Sequence, residues 1–289
     1  MKPAPFDYLA PRSVDEAVAA LQHAGGDAKV LAGGQSLVPL MNLRLARPAV
    51  VVDINQVAGL DAIGVEDGHL SLGALVRHAD LAADPRVASG WALLHDAANL
   101  IGHPAIRNRG TVGGSIAHAD PAAELPGVLT LLGGSIMATG PRGSREIVAD
   151  DLFVTYLTTA LEPDELLTEV RVPSLPAGTG SAFVEFARRH GDFALVGAAA
   201  AVSLRDGQVA DARLALIGVG ATPVRVDLGS LTGQPAGAEA WTAGGRLAAE
   251  AVDPDSDLHA PAEYRRHLAA VMAERALHQA AQRAGGSRS

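Results

Sequence analysis

Apolar positions near the start of the chain recur at helical spacing. Val14, Ala17, Val18 and Leu21 share one face. Ser13-Val14-Asp15-Glu16 ahead of them reads as a capping box, and Gly25-Gly26 ends the predicted helix. A short apolar run, Ala28-Lys29-Val30-Leu31-Ala32, has the character of a strand and enters Gly33-Gly34-Gln35-Ser36 directly. Leu37 to Leu45 reads as a helical turn or two, and Val50 to Ile54 as a buried strand. Helix, strand, glycine turn, helix and strand make an α/β unit. Farther on, the pattern predicts strands at His69 to Leu72, Ser135 to Thr139 and Leu166 to Val172, with helices at about Gly90 to Leu100 and Pro121 to Leu132.

The pattern changes after Pro173 to Gly180, where proline and glycine defeat both helix and ladder. Three strands are predicted at Ser181 to Ala187, Leu195 to Leu204 and Ala212 to Val219, the last two joined through the hairpin signal Asp206-Gly207. Two helices follow, about Ala238 to Ala251 and from Pro261 to about Arg283, and Gly285 to Ser289 reads as a frayed tail. Strands followed by helices give α+β.

Composition narrows the function. The 289 residues exceed one small core and suggest two domains. Aromatic residues are 3% of the chain, so Ala, Val and Leu must do the packing. A formal charge of −9 argues against nucleic-acid binding. The longest nearly apolar run, Phe193 to Val202, is too short for a membrane span, and the N-terminus lacks an apolar signal core, which predicts a cytoplasmic protein. Cysteine is absent, which excludes disulfides, a thiol nucleophile, Cys-ligated zinc and an intrinsic iron–sulfur cluster. Redox chemistry here therefore needs a bound organic cofactor or a His/carboxylate metal site. His118, Asp120 and Glu124 lie close in sequence, but no second histidine completes a metal-ligand pattern, and no G-x-S-x-G marks a serine hydrolase.

Among six Gly-Gly pairs, two stand out by context: Gly33-Gly34-Gln35-Ser36 behind a strand, and Thr111-Val112-Gly113-Gly114-Ser115 between Ile106 and Ile116. Paired glycines allow positive φ and close ligand approach, and free N–H groups in such turns form an anion-binding nest. The hydroxyls of Ser36, Thr111 and Ser115 add donors. Two such turns can hold one extended diphosphate between them; as isolated motifs, both also read as simple tight turns. Neither fits G-x-G-x-x-G or a P-loop. Lys29, one of only two lysines, sits four residues before Gly33 and is either a solvated strand residue or a point charge for a phosphate.

The runs Ala32-Gly33-Gly34-Gln35-Ser36-Leu37, Ile106 to Ser115, and Ala187-Arg188-Arg189-His190-Gly191-Asp192-Phe193-Ala194 resemble three signatures of the FAD-binding medium subunit of the molybdenum hydroxylases. That group includes aerobic carbon monoxide dehydrogenase, xanthine dehydrogenase and N-heterocycle hydroxylases. Glu263-Tyr264-Arg265-Arg266 extends the likeness toward the C-terminus. The resemblance implies an α+β protein. Residues 1–175 would form a PCMH-type FAD-binding domain of two α/β subdomains, about 1–55 and 56–175, and residues 176–289 a C-terminal domain with a three-stranded antiparallel sheet and helices. It implies that FAD is held by Lys29, Val30, Leu31, Ala32, Gly33, Gly34, Gln35, Ser36 and Leu37. Thr111, Gly113, Gly114 and Ser115 would complete the diphosphate cradle. Ile101 and Gly102 would lie near the flavin ring, Glu124 would bond ribityl or ribose hydroxyls, and Phe193 would cover one flavin face. Some relatives carry a flavin-reaching lysine near Glu185; this chain has none.

The resemblance further implies an electron-transfer subunit. Its partners would be a molybdopterin-containing large subunit, which oxidises the substrate, and a small subunit with two 2Fe–2S clusters, in a dimer of heterotrimers. Gln35 replaces the His of carbon monoxide dehydrogenases, which favours an N-heterocycle or related substrate. The alternatives are a stand-alone PCMH-type flavin oxidase or reductase, and a binding module that has lost its flavin.

Overall fold

The computed structural model describes residues 2–286. A three-stranded parallel sheet opens the chain, with Val50–Asp53 at its centre and Asp7–Leu9 and Ala28–Leu31 at its edges. The strand Asp7–Leu9 has no clear sequence signal, since all three residues are exposed. The helix Val14–Ala24 packs Ala17, Val18 and Leu21 against this sheet. Its start is a variant of the expected box: Ser13 Oγ accepts the N–H of Glu16, but the Glu16 carboxylate reaches past Ser13 to the N–H of Arg12 at 2.8 Å. Gly25, with φ +60°, closes the helix.

A five-stranded sheet follows, in the order Ile63–Glu66, His69–Gly73, Leu166–Pro173, Ser135–Gly140, Gly143–Val148, and every pair is antiparallel. Helices Ala92–Leu100, Val112–His118 and Glu124–Leu132 belong to the core beneath it. The helix expected from Pro121 starts three residues later, because Asp120 to Ala123 form a turn closed by the Asp120 carboxylate on Ala122 N–H at 2.9 Å. The segment predicted at Leu37 to Leu45 is helical only over Leu37–Asn42, and Arg44 turns away at φ +60°.

Beyond residue 178 the three expected strands form an antiparallel sheet, Thr179–Phe186, Val196–Arg205 and Gln208–Ile217, with a short fourth strand, Val224–Val226, at its edge. Asp206 and Gly207 both take positive φ, as a tight two-residue hairpin requires. Both faces of this sheet are covered. Ala199, Ala201, Ala215 and Ile217 join the core shared with helices Ala92–Leu100 and Glu124–Leu132. Ala198, Ala200, Leu214 and Leu216 face helices Ala238–Glu250 and Ala262–Gly286. That double burial explains why Leu195 to Leu204 reads as a nearly continuous apolar run without alternation. The last helix continues through Gly285 and Gly286, so the start of the expected frayed tail is helical. Ser287 to Ser289 lie outside the described residues. Among the described residues, no helix is long and apolar enough to cross a membrane.

Small side chains let the last helix lie directly on the sheet. A Cβ on Gly180 would collide with the backbone of Ala280 and Ala284 on that helix. Gly180→Ala should therefore cost about 1–3 kcal/mol through forced separation of helix and sheet. The expected result in urea denaturation is a lower midpoint, whereas Gly207→Ala, which meets open space, should be lowered only by its backbone strain.

Candidate functional site

The edge strand Ala28–Leu31 delivers its C-terminal end to Gly33 and Gly34. Gly34 adopts φ +72°, and the turn is pinned by Gln35 Nε2 donating to Gly33 O at 2.9 Å. The amides of Gly33, Gly34, Gln35 and Ser36 make no backbone–backbone bonds among the described residues, so they are available to an acceptor. Val30, Leu31 and Ala32 are half-buried along the approach, and Leu37 begins the following helix. Lys29 is exposed on the edge strand, with about 13 Å of extended chain between it and Gly33.

The second glycine pair is not a loop. Thr111 is the N-cap of the helix Val112–His118, its hydroxyl accepting from Gly114 N–H at 3.1 Å, and neither Gly113 nor Gly114 has positive φ. Nor does it offer a nest. Gly113 N–H bonds Ala74 O, Ser115 N–H bonds Thr111 O, and Val112 N–H bonds Val76 O. Gly113 is required because a Cβ would lie 2.6 Å from the Ala74 Cβ. What this segment leaves open is the half-buried Ser115 hydroxyl rather than amides; Thr111 is buried.

The two segments touch. A Cβ on Gly33 would strike Arg109 O and come within 2.8 Å of the Gly110 Cα, and a Cβ on Gly114 would lie 3.9 Å from the Ala32 Cβ. Sequence reasoning missed the strut that holds them. Asn55, just past the central strand, donates to Ala32 O at 2.8 Å. Arg77 bridges from Asn55 Oδ1 at 2.7 Å to Arg109 O at 2.5 Å. Asp53 and Asn55 bond each other, and Tyr8 donates to Asp53 at 2.6 Å. Buried His78 packs behind Gly110, and neither of its ring nitrogens has a hydrogen-bond partner among the described residues. Burial drives its pKa down to about 4, so it is neutral.

The helix Val112–His118 rises about 10 Å from this cradle. Near its far end the chain turns through Asp120 and Pro121 into a cavity of about 670 Å³, also lined by Phe193, Leu195, Gly218 and Arg265. Glu124 lies next to this turn, at the start of its helix, and is 5% exposed. Burial, then the neighbouring Glu185 and Asp120 carboxylates, push its pKa up to about 8. Burial alone carries Glu185 to about 7, and its Oε2 is buried without a partner. The two carboxyls titrate as a pair and retain protons near neutrality.

Ile101 is buried and Gly102 turns at φ +47°. Arg107 holds both their carbonyls at 3.0 Å. Gly191, on the loop that carries Phe193, backs onto the His103 imidazole, so this loop and the Ile101–Gly102 turn meet at one edge of the site. Phe193 itself is 62% exposed.

A turn with free amides at one end of a short helix and a cavity at the other suit an extended dinucleotide ligand such as FAD. Family models bear this out: "FAD binding domain in molybdopterin dehydrogenase" matches residues 4–175, and "CO dehydrogenase flavoprotein C-terminal domain" matches residues 181–280. The chain belongs to this family of FAD-binding medium subunits, and FAD is its cofactor. It is 44% identical to the 6-hydroxypseudooxynicotine dehydrogenase complex subunit alpha of Paenarthrobacter nicotinovorans, over 98% of this chain and 97% of that one. Among solved structures it is similar to carbon monoxide dehydrogenase from Hydrogenophaga pseudoflava, with a TM-score of 0.95 and 40% identity over 98% of this chain and 99% of that one. It is also similar to quinoline 2-oxidoreductase from Pseudomonas putida 86, with a TM-score of 0.94 and 38% identity over 98% and 99% of the two chains.

A carboxyl whose folded pKa exceeds its unfolded value stabilises the fold while protonated and loses that contribution as pH rises. For Glu124 the loss runs from about 4.5, its ordinary value, to about 8. In the flavin-free chain, Glu124→Gln should unfold at nearly the native urea midpoint at pH 5 and at a clearly higher one at pH 8. A midpoint difference that does not change between these pH values would show that Glu124 is ionised in the fold.

Proposed function

We propose that the chain is the flavin electron-transfer subunit of a molybdenum hydroxylase. It would take electrons from a small subunit with two 2Fe–2S clusters and pass them to a terminal acceptor. Substrate oxidation would occur in a molybdopterin-containing large subunit, and the whole would be a dimer of heterotrimers. The observation that carries this reading is the contact of Gly33 with Arg109 and Gly110, which makes one cradle out of two distant glycine segments. The absence of cysteine supports the division of labour, because the clusters must belong to another polypeptide. We also take residues 1–175 and 176–289 as the two domains.

In this reading the amides of Gly33, Gly34, Gln35 and Ser36, with the chain from Lys29 to Ala32 leading in and Leu37 following, hold the diphosphate. The hydroxyls of Ser36, Thr111 and Ser115 complete the shell, while Gly113 and Gly114 keep the helix close enough to serve. Ile101, Gly102 and Phe193 border the ring, and Glu124 bonds the hydroxylated chain. FAD, when bound, supplies one- and two-electron exchange that the side chains lack. The protein's part is to orient it, shield it and set the charge around it. Gln35 spends its amide on Gly33 O at 2.9 Å. With the His of carbon monoxide dehydrogenases absent there, an N-heterocycle or related substrate is favoured.

The test is a titration of the purified chain with FAD, followed by flavin absorbance and protein fluorescence. The native chain should bind one FAD. Gly33→Ala should bind it about tenfold or more weakly, because overpacking of about 1–3 kcal/mol falls on the cradle itself. The isolated chain should oxidise no N-heterocycle until the cluster-bearing and molybdopterin-bearing subunits are added. Turnover by the chain alone would support the stand-alone oxidase instead, and failure to bind FAD would remove the flavin reading altogether.

A further inference from the structure

Arg265 is a buried cation, 8% exposed, in the first turn of the last helix. Its guanidinium joins three segments far apart in sequence. Nη1 donates to Leu195 O at 2.7 Å and to Gly218 O at 3.0 Å, and Nη2 to Asp257 Oδ2 at 2.8 Å. Each acceptor belongs to a wall of the 670 Å³ cavity.

Each wall is tied to something that matters for the site. Leu195 closes the loop that carries Phe193, its N–H bonding Phe186 O at 2.8 Å. Gly218 donates to Pro121 O at 2.8 Å and so fastens the C-terminal sheet to the turn before Glu124. It adopts φ +74°, and a Cβ there would lie 2.5 Å from Leu195 O, the carbonyl that Arg265 takes. Asp257 accepts the N–H groups of His259 and Ala260 as well as Arg265. Burial would raise its pKa, but these bonds outweigh it and hold the value at about 2, so Asp257 stays ionised.

A buried guanidinium is costly unless it is paired and hydrogen-bonded. Here two carbonyls and one carboxylate take three of its five N–H groups, in a fork that an ammonium cannot reproduce. The same shell makes Arg265 a structural clamp with a specific target. It grips the base of the Ala187–Ala194 loop, while the loop's middle rests on His103 through Gly191. The other charged groups lining the cavity, Asp120, Arg188, Arg189, Asp192 and Asp255, make no hydrogen bond to Arg265 among the described residues.

We propose that Arg265 is the positioning residue that fixes the Phe193-bearing loop across the cavity, and so sets how far bound cofactor is closed to solvent. This rests on the flavin reading above and deepens it.

The experiment uses the full FAD-loaded chain as native, Arg265→Lys and Arg265→Met, with three readouts: FAD per chain, iodide quenching of flavin fluorescence, and trypsin cleavage after Arg188 and Arg189. Cleavage after Arg142, on a distant hairpin turn, is the control. Arg265→Met should keep its FAD, since the cradle is untouched. Its quenching and its loop cleavage should rise about five- to thirtyfold, the range that one or two kcal/mol of lost local stability produces. Cleavage after Arg142 should not change, and Lys should rescue only part. Should Arg265→Met not fold, Asp257→Asn must show the same loop-selective effect, smaller in size. Native-like quenching and loop cleavage would overturn the proposal, and so would a parallel rise after Arg142, which marks general loosening. A native chain without FAD would instead defeat the flavin reading, and the trypsin comparison would still decide the role of Arg265.

Discussion

A contact without a side chain decides most of this architecture. Gly33 lies against the main chain of Arg109 and Gly110, and any Cβ there would push the two segments apart. The turn follows Ala28–Leu31, an edge strand of its sheet. The central strand contributes Asn55, which links Ala32 O to Arg77, and Arg77 in turn takes Arg109 O. The half-buried Arg77 has a pKa lowered first by burial and then by Arg109, yet a guanidinium remains charged under such shifts. Two cations thus lie beside a turn with open amides. A close-packed turn with free amides results from sheet order, one strut and a missing Cβ.

The C-terminal sheet matters to the site because it is buried on both faces. Alternate alanines on Val196–Arg205 serve two cores, one shared with helices of the N-terminal FAD-binding domain and one its own. A chain with 3% aromatic residues can achieve this only by close approach of backbones, which small residues permit. The gain is rigidity across the join: Arg225 bonds Thr130 O and pairs with Asp150, and Gly218 bonds Pro121 O. A loop rooted in that sheet, such as the one bearing Phe193, therefore has a fixed position relative to the Asp120–Pro121 turn. On a flexibly hinged second domain it would have none.

Local chemistry was legible and long-range chemistry was not. Ser13, Gly25 and Asp206-Gly207 act on neighbours within a few residues, and the sequence pattern located each of them. The Thr111 to Ser115 segment was located but misjudged in kind. Its glycines serve tight packing against Ala74 and sit in a helix whose amides are already spoken for. Glu124 was proposed through resemblance, whereas its protonated state comes first from burial and then from Glu185, which the sheet brings near it. Asn55 and Arg77 escaped notice, and the role of Arg265 was not visible in the run that contains it, because Ala32, Arg109, Leu195 and Gly218 lie tens of residues from their partners. Nothing in a run such as Asp53-Ile54-Asn55 announces that its amide will hold a glycine turn 23 residues earlier.

Charge explains why backbone amides, rather than lysines, suit this chain. Lys29 is exposed on its strand, and the formal charge is −9, so a diphosphate gains little from the protein's overall field. Amide dipoles hold an anion without adding a formal charge, and they act only at contact distance. Past the end of the helix, the carboxyl of Glu185 acts on that of Glu124. Fully ionised, each would oppose a nearby phosphate charge. Burial instead keeps protons on the pair near neutral pH. The repulsion is thereby relieved, and a protonated carboxyl can donate a hydrogen bond as well as accept one. The same burial that makes these two acids costly to ionise makes them compatible with an anionic ligand.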